Sequence, residues 1–398
     1  MRIMMVGLLP LELGEVKGGV VSVILGMLEA FSRIPDIQVI QVSFNQEIDS
    51  AHTIEYSRNV TIHYLPFRSR AALLDYAVNA PALRDLVQRE QPDIIHIQEV
   101  TPQLLRFLRW DKSHLVVTQH GIMSEEFRTA IGFRNKIKSF FKGFIEQRVF
   151  PTFPNIIFIS SYNRSLFLGK PEHATRIFIP VNRIFLEATV PPGDPRTILY
   201  VGVLNVNKNI RLVLESLREL REQGRVYRLE VVGGFKDEAF KPVLEDLVRE
   251  NGVEAQVRFH GWKTPQEILT LHERCGIFIL PSKQENMPVS IAESMSTGRV
   301  VIASDVGAIR EMFVDGQSGF LFPKDDLAAL TKILLHLYDH PEKIREVGQA
   351  AIQEARTKFD PDMVVAQTVA FYRAVLKDNG PASWLSSGSA PASTTASL

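Results

Sequence analysis

The sequence is almost free of cysteine: Cys275 is the single one among 398 residues. One cysteine excludes an intrachain disulfide framework and a cysteine-rich metal site, and this usage is typical of a reducing cytoplasm. Long hydrophobic runs are missing too, and without about 18 consecutive apolar residues no transmembrane helix is expected. The first residues lack the apolar core of a signal peptide, because Pro10 and nearby charges interrupt them. These absences predict a cytoplasmic protein and leave peripheral contact with the inner membrane face open.

The sequence has no excess charge of either sign, because 45 Lys and Arg residues balance 45 Asp and Glu residues. A neutral chain offers no electrostatic case for nucleic acid as a partner. Apolar residues make up 45% of the chain and charged residues 23%, the proportions of an ordinary globular protein. A chain of this length has room for two or three domains, each with its own core.

Short β-branched runs alternate with longer amphipathic segments over most of the chain. Runs such as Ile277–Leu280 are apolar throughout, which is typical of a strand buried on both faces. The alternation predicts an α/β fold, with parallel sheets covered by helices. The predicted strands are Ile3–Leu8, Ile37–Ser43, Val60–Leu65, Ile94–Ile97, Leu115–Thr118, Ile156–Ser160, Ile198–Val203, Tyr227–Val232, Gln256–His260, Ile277–Leu280, Val300–Ala303 and Gly319–Phe322. The predicted helices include Val21–Phe31, Asn209–Glu222, Glu238–Asn251 and Pro361–Leu376.

One Pro-rich, turn-forming segment, Ala188–Pro195, interrupts the alternation and is interpreted as a domain linker. About six predicted strands lie on each side, which indicates two doubly wound, Rossmann-like domains facing each other across a cleft. Ligands of such sheets bind outside the carboxyl ends of the strands, so the cleft is the expected site. The predicted division is a first domain over 1–187, the linker over 188–195, a second domain over 196–359, a last helix over 360–378 and a Ser/Ala/Thr-rich, disordered tail over 379–398.

The segment Ile277–Pro323 combines a buried strand, a polar loop and a helix N-terminus. Pro288 suits the first position of this helix, and Gly298 is placed to end it. The free N–H groups and partial positive charge of such an N-terminus can hold an anion such as diphosphate. Taken singly, Glu285 is explained as an acid that complements the helix dipole, and Glu293 as a solvated helix residue. Taken together with the residues that follow, they point to a site.

The segment resembles the retaining family 4 glycosyltransferases of the GT-B fold. Their signature is a Glu, seven residues and a second Glu, set in a frame of Pro, Ser, Met, Val and Gly positions. Two Glu residues at this spacing alone would be a weak signal, but a frame that spans the whole segment is a strong one. The frame stands here as Pro281, Ser282, Glu285, Pro288, Glu293, Ser294, Met295, Gly298, Val301, Gly307, Glu311, Gly316 and Gly319.

The resemblance implies a fold and donor-binding roles. In the GT-B architecture the first domain faces the acceptor, the second binds the nucleotide sugar, and the last helix crosses back to the first domain. Glu293 is expected to accept hydrogen bonds from the donor's ribose hydroxyls, since a carboxylate offers only acceptors. Glu285 is expected to contact the transferred sugar as a catalytic residue. The sugar and diphosphate are expected at the backbone of Asn286, Met287 and Val289, with Pro288, which has no N–H, among them.

The start of the second domain carries another family motif, Val-Gly-Arg-Leu followed by Lys-Gly, which stands here as Val201–Leu204 and Lys208. Lys208 is expected to neutralise the departing diphosphate as a catalytic residue, and Gly202 is expected in the donor site. The alternative for Lys208 is a surface lysine at a helix start.

The chain departs from this motif where Val203 replaces the family's Arg and Asn209 replaces its Gly. One of two usual cations is therefore missing. Either another base, Lys283 or Arg183, takes its place, or donor binding is weakened.

Two glycines and a histidine are the candidate residues that line the cleft from the first domain. Gly18 and Gly19 lie between the first strand and helix, where the family has a Gly-Gly loop that approaches the donor. His120 stands where the family has a Thr-x-His motif whose His lies beside the donor sugar, and it is predicted to be catalytic. His96 lies in the family's Asp-x-x-His-x-His motif, with Gln98 in place of the second His, and is either structural or part of the site.

The segment Val257–Trp262 matches the family's Val-x-Phe-x-Gly motif. Main chain near Trp262 and Lys263 is expected to read the base, and Trp262 either stacks on a ligand or packs on the next helix. Asp360 and Asp362 form an Asp-x-Asp pair like that of metal-dependent transferases, but at a helix start they are predicted to cap the helix. No His, Cys and Asp cluster suggests a metal, so neither a metal nor a cofactor is expected beside the donor substrate.

The segment Phe133–Val149 is basic and rich in Phe. It is either a first-domain helix with a solvated basic face or a helix that lies on a membrane surface and reaches a lipid-linked acceptor.

The predicted function is transfer of a hexose from a UDP- or GDP-sugar to an acceptor hydroxyl with retention of configuration, in cell-surface polysaccharide or glycolipid synthesis. The acceptor, lipid-linked or an oligosaccharide, is not identified by any motif. The alternatives are a non-catalytic protein that binds nucleotide sugars and another GT-B enzyme such as a sugar-nucleotide epimerase.

Overall fold

The computed structural model describes residues 1–16, 18–67, 72–99, 102–107, 110–121, 143–235, 237–380 and 382. Its strands are β1 (Arg2–Val6), β2 (Gln38–Asn45), β3 (His52–Ser57), β4 (Val60–Pro66), β5 (Ile94–Ile97), β6 (Leu115–Gln119), β7 (Asn155–Phe158), β8 (His173–Arg176), β9 (Asp194–Val201), β10 (Arg228–Val232), β11 (Val257–Gly261), β12 (Cys275–Leu280), β13 (Val300–Ser304) and β14 (Phe320–Phe322). Its α-helices are α1 (Gly19–Ser32), α2 (Ala72–Glu90), α3 (Ser161–Ser165), α4 (Arg183–Glu187), α5 (Ile210–Glu222), α6 (Phe240–Glu250), α7 (Pro265–Arg274), α8 (Val289–Ser296), α9 (Leu327–Asp339), α10 (Glu342–Lys358) and α11 (Pro361–Asn379). Most of the basic, Phe-rich segment and the tail from residue 383 onward lie outside the described residues.

An eight-stranded sheet forms the first domain, in the order β3-β4-β2-β1-β5-β6-β7-β8. All neighbouring strands are parallel except β3, which pairs antiparallel with β4. The central strands are buried on both faces, as their continuous apolar sequences predict. Helix α1 packs on this sheet through apolar residues at helical spacing, among them Ile24, Met27, Leu28 and Phe31.

A six-stranded parallel sheet forms the second domain, in the order β11-β10-β9-β12-β13-β14. The chain runs outward from β9 to β10 and β11 and then returns to β12 on the other side of β9. The loops after β9 and β12 therefore lead to opposite sides and leave a crevice at the carboxyl ends of these two strands. Lys208 lies in the loop after β9, and Glu285 lies in the loop after β12.

The last helix, α11, crosses back from the second domain to the first. Asp360 caps it by accepting hydrogen bonds from the backbone N–H groups of Asp362 and Met363, at 2.9 and 3.1 Å. Tyr372 then contacts His96 of the first sheet. The two Rossmann-like domains and the returning helix confirm the predicted GT-B architecture. Within the described part of the chain, no helix combines the length and apolar character needed to cross a membrane.

Two strands were not predicted, and one element begins earlier than expected. β3 and β8 are edge strands with polar, partly exposed sequences, so they lack the apolar run that marks a buried strand. β9 begins at Asp194, inside the predicted linker 188–195. Gly193 permits this start, since a β carbon there would lie 2.2 Å from the backbone oxygen of Cys275.

Candidate functional site

Lys208 and Glu285, 77 residues apart, meet in the crevice between β9 and β12. Lys208 ends a short 3-10 turn, and Asn205 caps this turn by accepting the Lys208 N–H at 3.1 Å. The Lys208 ammonium forms an ion pair with Oε1 of Glu285, which also accepts a hydrogen bond from Ser282 Oγ at 2.7 Å. The lysine side chain is 21% exposed and the glutamate side chain 11%. The pair is therefore shielded from bulk water but open to a ligand in the crevice.

The loop that carries Glu285 is held from both sides. The Lys283 N–H donates to the backbone oxygen of Asn207 at 2.7 Å, and the Asn207 amide donates to the backbone oxygen of Gln284 at 3.1 Å. On the opposite side, a β carbon on Gly307 would lie 1.7 Å from the backbone oxygen of Glu285, and Gly307 has φ +57°. The Glu285 carboxylate is therefore positioned by a loop with little freedom to move.

Helix α8 offers an uncapped N-terminus beside this loop. It begins at Val289, with Pro288 as its N-cap, so the prediction that Pro288 is the first helical residue is wrong by one position. No side chain caps the helix, and among the described residues no acceptor takes the backbone N–H of Asn286, Met287 or Val289. Free N–H groups at a helix N-terminus attract anions. Gly298, with φ +72°, follows the end of the helix as predicted.

Glu293 is buried on α8, with 9% of its surface exposed. Burial raises the pKa of its carboxyl to about 7, although a hydrogen bond with the Ser22 side chain of α1 acts in the opposite direction. Glu293 is therefore not a solvated helix residue. Its partner is a hydroxyl of the other domain, the same chemical group that a ribose would present to it.

Gly19, preceded by Gly18, faces α8 from the first domain. Gly18 is the N-cap of α1 with φ +123°, a conformation that other residues rarely adopt. A β carbon on Gly19 would lie 3.4 Å from Cγ2 of Val289. The predicted glycine loop thus lies directly opposite the uncapped N-terminus of α8.

His120 lies at the carboxyl end of β6 and is linked to the same loop. Its backbone oxygen accepts a hydrogen bond from the Asn286 side chain at 2.9 Å, and Asn286 accepts one from Ser160 Oγ at 2.8 Å. Its ring nitrogen Nε2 lies 2.9 Å from Oε1 of Gln98. Burial lowers the pKa of the His120 imidazole to about 4, so the ring is neutral at physiological pH.

Gly202 follows the carboxyl end of β9, and Trp262 and Lys263 follow that of β11, with β10 between the two strands. A β carbon on Gly233 would lie 2.0 Å from the backbone oxygen of Gly202. Trp262 is 44% exposed, and its indole covers Gly234, where a β carbon would lie 2.0 Å from Nε1. The Lys263 ammonium pairs at 2.7 Å with a first-turn glutamate of α7. In the described part of the chain, neither Trp262 nor Lys263 is hydrogen-bonded to Lys208 or Glu285.

Arg183 does not supply the cation that Val203 lacks. Its guanidinium lies 3.4 Å from Glu29 and 3.3 Å from Glu187, and it also pairs with Asp362. Three carboxylates therefore engage it where α1, α4 and α11 meet. Of the two bases named from the sequence, Lys283 is left as the candidate.

The Asp-x-Asp pair is structural, as predicted. Asp360 caps α11, and Asp362 pairs with Arg183. No group of three or more His, Cys, Asp or Glu side chains arranged to hold a metal ion is found among the residues that the structure describes.

Three contacts across the cleft were missed by sequence reasoning. They are the hydrogen bond between the Ser22 side chain and Glu293, the one from the Asn286 side chain to the His120 backbone, and those that the Glu311 carboxylate accepts at the start of α3. Glu311 accepts the N–H groups of Ser161 and Tyr162 at 2.8 and 2.9 Å, at the start of α3. None of these residues carries a local signal for its partner, because each partner belongs to the other domain.

Comparison with known proteins places this geometry in a family. Residues 182–354 match the family model for glycosyl transferases group 1, and residues 17–179 match the model for glycosyltransferase family 4. An uncharacterized glycosyltransferase of Methanocaldococcus jannaschii is 25% identical over 308 residues, covering 76% of this chain and 81% of that protein. The amylovoran biosynthesis glycosyltransferase AmsK of Erwinia amylovora is 28% identical over 201 residues, a match that spans 49% of each protein.

Solved structures share the fold. The Anabaena protein HepE, crystallised with UDP and glucose, aligns with a TM-score of 0.71 and 16% identity over 94% of this chain and all of that one. The two family matches follow one another along the two Rossmann-like domains. The chain is therefore a glycosyltransferase of family 4 with the GT-B fold.

Proposed function

We propose that this glycosyltransferase moves a hexose from a UDP- or GDP-sugar to an acceptor hydroxyl with retention of the anomeric configuration. The observation that supports it most is the Lys208–Glu285 pair, held at the switch point of the second sheet beside the uncapped N-terminus of α8. A cation and free N–H groups suit a diphosphate, and a carboxylate next to them suits sugar hydroxyls. HepE, which has the same fold, was crystallised with UDP.

In this proposal the bond between the anomeric carbon and the β-phosphate oxygen breaks as the acceptor oxygen bonds to the same face of the sugar. The acceptor's proton passes to the departing phosphate, so no covalent enzyme intermediate is needed. Lys208 and the α8 N-terminus then stabilise the negative charge that builds up on the diphosphate. Lys208 exchanges part of its contact with Glu285 for the phosphate, and Glu285 becomes free to accept sugar hydroxyls. Retention rests on the resemblance of the Glu285–Glu293 frame.

Glu293 is proposed to bind the ribose of the donor, and this contact would replace its hydrogen bond with Ser22. The ribose hydroxyls would replace the serine hydroxyl as donors to the carboxylate, and this requires α1 to move away from α8. Gly18 and Gly19, opposite Val289, are proposed to approach the diphosphate, and His120 the sugar. Trp262, Lys263 and Gly202 are proposed to line the base and ribose end of the site. No metal or cofactor has a part in this proposal.

UDP is expected to bind more tightly as the pH rises through about 7. Burial raises the pKa of the Glu293 carboxyl to about 7, and ribose hydroxyls donate to the ionised form, so binding releases the proton. If only the ionised form binds, the Kd for UDP falls about tenfold between pH 6 and pH 8. Isothermal titration calorimetry in buffers of different ionisation heat measures both the Kd and the released proton.

Glu293→Gln is the control, because it cannot titrate yet leaves the titration of UDP's own phosphate unchanged. The same pH slope in both proteins would rule out this role.

The pH dependence of folding stability has the opposite sign to that of UDP binding. Because the folded pKa lies above the ordinary 4.5, the carboxyl's contribution to folding is full below pH 4.5 and is lost as the pH rises through about 7. The variant should therefore gain thermal stability relative to the wild type at pH 8.

A panel of nucleotide sugars in a thermal-shift assay tests the donor. A nucleotide sugar at about 100 times its Kd stabilises the folded protein by roughly 2.7 kcal/mol. The ligand that shifts the transition most is then incubated with candidate acceptors, and release of the nucleoside diphosphate is measured. Binding without release for any acceptor would favour the non-catalytic alternative, and interconversion of the sugar on the nucleotide would favour an epimerase.

The pathway and the acceptor are proposed at a coarser level. We propose synthesis of a cell-surface polysaccharide or glycolipid, and AmsK, a relative named for amylovoran biosynthesis, supports this class. A lipid-linked acceptor would bring the protein to the cytoplasmic membrane face. Contact through residues 133–149 stays a prediction, since residues 133–142 lie outside the described residues.

A further inference from the structure

A chain of hydrogen-bonded polar side chains runs from His120 into the interface between the first sheet and α11. Gln98 Oε1 lies 2.9 Å from His120 Nε2, and Gln98 Nε2 lies 3.1 Å from His96 Nδ1. His96 Nε2 lies 2.7 Å from Thr118 Oγ1, and His96 Nδ1 lies 2.5 Å from the Tyr372 hydroxyl. We call these five residues the buried polar chain.

The amide of Gln98 determines which ring nitrogen of His120 carries the proton. An amide oxygen only accepts hydrogen bonds and an amide nitrogen only donates them. Because Oε1 faces His120, the proton of His120 lies on Nε2. The amide nitrogen lies closer to Nδ1 of His96, at 3.1 Å, than to Nε2, at 3.4 Å. We therefore assign Nδ1 as the acceptor and place the His96 proton on Nε2.

The rest of the buried polar chain agrees with this assignment. The His96 Nε2–H donates to Thr118 Oγ1, and the Tyr372 hydroxyl donates to His96 Nδ1. With both imidazoles neutral, His96 Nδ1 then accepts from Tyr372 and from the amide nitrogen of Gln98, while the longer approach of that amide nitrogen to His96 Nε2, 3.4 Å, is not a hydrogen bond. Burial lowers the pKa of His96 to about 3, with the nearby His120 adding to the effect, and burial lowers that of His120 to about 4.

Water has little access to the buried polar chain. Gln98 is fully buried and His96 is 1% exposed. The cavity that touches both, and also Thr118 and His120, has a volume of about 20 Å³. This is room for about one water molecule, so bulk solvent has little access to the contacts between Gln98 and His96.

We propose that Gln98 is a positioning residue that holds His120 as its Nε2–H tautomer and so presents an unprotonated Nδ1 to the donor sugar. The inference rests on the proposed function, in which His120 lies beside that sugar. Nδ1 has no partner among the described residues, and it can accept a hydrogen bond from a sugar hydroxyl. A neutral ring with its lone pair towards the sugar also does not oppose the positive charge that develops at the anomeric carbon.

The position of the ring is set from two directions. Asn286, in the loop between β12 and α8, donates to the backbone oxygen of His120, and Gln98 contacts the ring. The buried polar chain ends on Tyr372 of α11, the helix that returns from the second domain. The same contacts that orient His120 therefore also tie the sugar side of the site to the crossing helix.

Nitrogen NMR of the unliganded protein tests the proposal directly. The ten histidines are labelled with ¹⁵N, and His120→Asn assigns the His120 signals. The wild type is expected to show a protonated Nε2 and an unprotonated Nδ1 for His120 at pH 7. Gln98→Met keeps the side-chain volume but removes the acceptor, so both tautomers should become populated.

Gln41→Met is the matched control. Gln41 is also fully buried in the first sheet, but its amide nitrogen donates to the backbone oxygens of Gly7 and Val42, at 2.9 and 3.0 Å. This variant should lose a comparable amount of stability and keep the wild-type tautomer. A His120 protonated on Nδ1 in the wild type, or an unchanged tautomer in Gln98→Met, would overturn the proposal.

Kinetics provide the second readout. Gln98→Met should leave the Kd for UDP unchanged, because UDP lacks the transferred sugar that is proposed to lie beside His120. With the donor identified by the thermal-shift panel, kcat should fall about tenfold and KM should stay nearly the same. A loss of UDP affinity would instead indicate general distortion and count against the proposal. The NMR experiment measures the His120 tautomer without ligand. If no nucleotide sugar binds in the thermal-shift assay, the proposed function is refuted, but the NMR test of the tautomer remains valid.

Discussion

Lys208→Met is expected to lower kcat by about two to three orders of magnitude, the usual loss when one group that stabilises developing negative charge is removed. The structure pairs Lys208 with Glu285 in the loop before α8, and the Arg that the family has nearby is Val203 here. No second family cation is therefore present at that position to compensate. Met keeps most of the side-chain length, so the loss reports charge more than packing.

The measurement is release of nucleoside diphosphate under saturating donor, with the thermal transition recorded for each variant. Lys343→Met is the control, since Lys343 is also paired with a glutamate, Glu346 at 2.7 Å, but lies on the exposed side of α10. It should behave as the wild type. If Lys208→Met turns over within threefold of the wild type while remaining folded, Lys208 does not stabilise the leaving group.

Gly307→Ala is expected to lower kcat/KM by about a hundredfold and to destabilise the second domain. A β carbon at this position would lie 1.7 Å from the Glu285 backbone oxygen, where an ordinary contact is 3.4 Å or more, so the loop must move by over 1 Å. Displacements of about 1 Å in a catalytic group can cost about 10²-fold in rate. The positive φ of +57° adds backbone strain of roughly 1–2 kcal/mol.

Gly316→Ala separates the displacement from the strain. Gly316 has φ +71°, so alanine is strained there as well, but no atom lies within 4 Å of its β carbon. This variant should show a small loss of thermal stability with kcat/KM nearly unchanged. Equal kinetic losses in the two variants would mean that the contact between Gly307 and Glu285 does not position the loop.

Local sequence determined much of this protein. Continuous apolar runs predicted all the central strands, because a strand covered on both faces must be apolar at every position. Capping and termination at Asp360 and Gly298 were also predicted, since they depend on a few neighbouring residues. The edge strands β3 and β8 were not predicted, because a half-exposed edge strand does not need a continuous apolar sequence.

The frame from Pro281 to Gly319 predicted a donor side of the site, and the loop positions of Lys208, Glu285 and His120 followed from strands ending at one edge of each sheet. The sequence did not show how these residues are engaged. Lys208 and Glu285 are paired because strand order brings β9 beside β12, a consequence of the whole sheet and of no local pattern.

The sequence by itself determined the family frame, the two α/β domains and the residues that carry charge into the cleft. Only the tertiary structure decided that the Ser22 side chain is hydrogen-bonded to Glu293, that Asn286 bridges to His120, and that three carboxylates engage Arg183 where α1, α4 and α11 meet. The reason is physical. Periodicity and turn chemistry act over a few residues, whereas these contacts depend on how two separately folded sheets face each other, and residues more than a hundred positions apart then share one hydrogen bond.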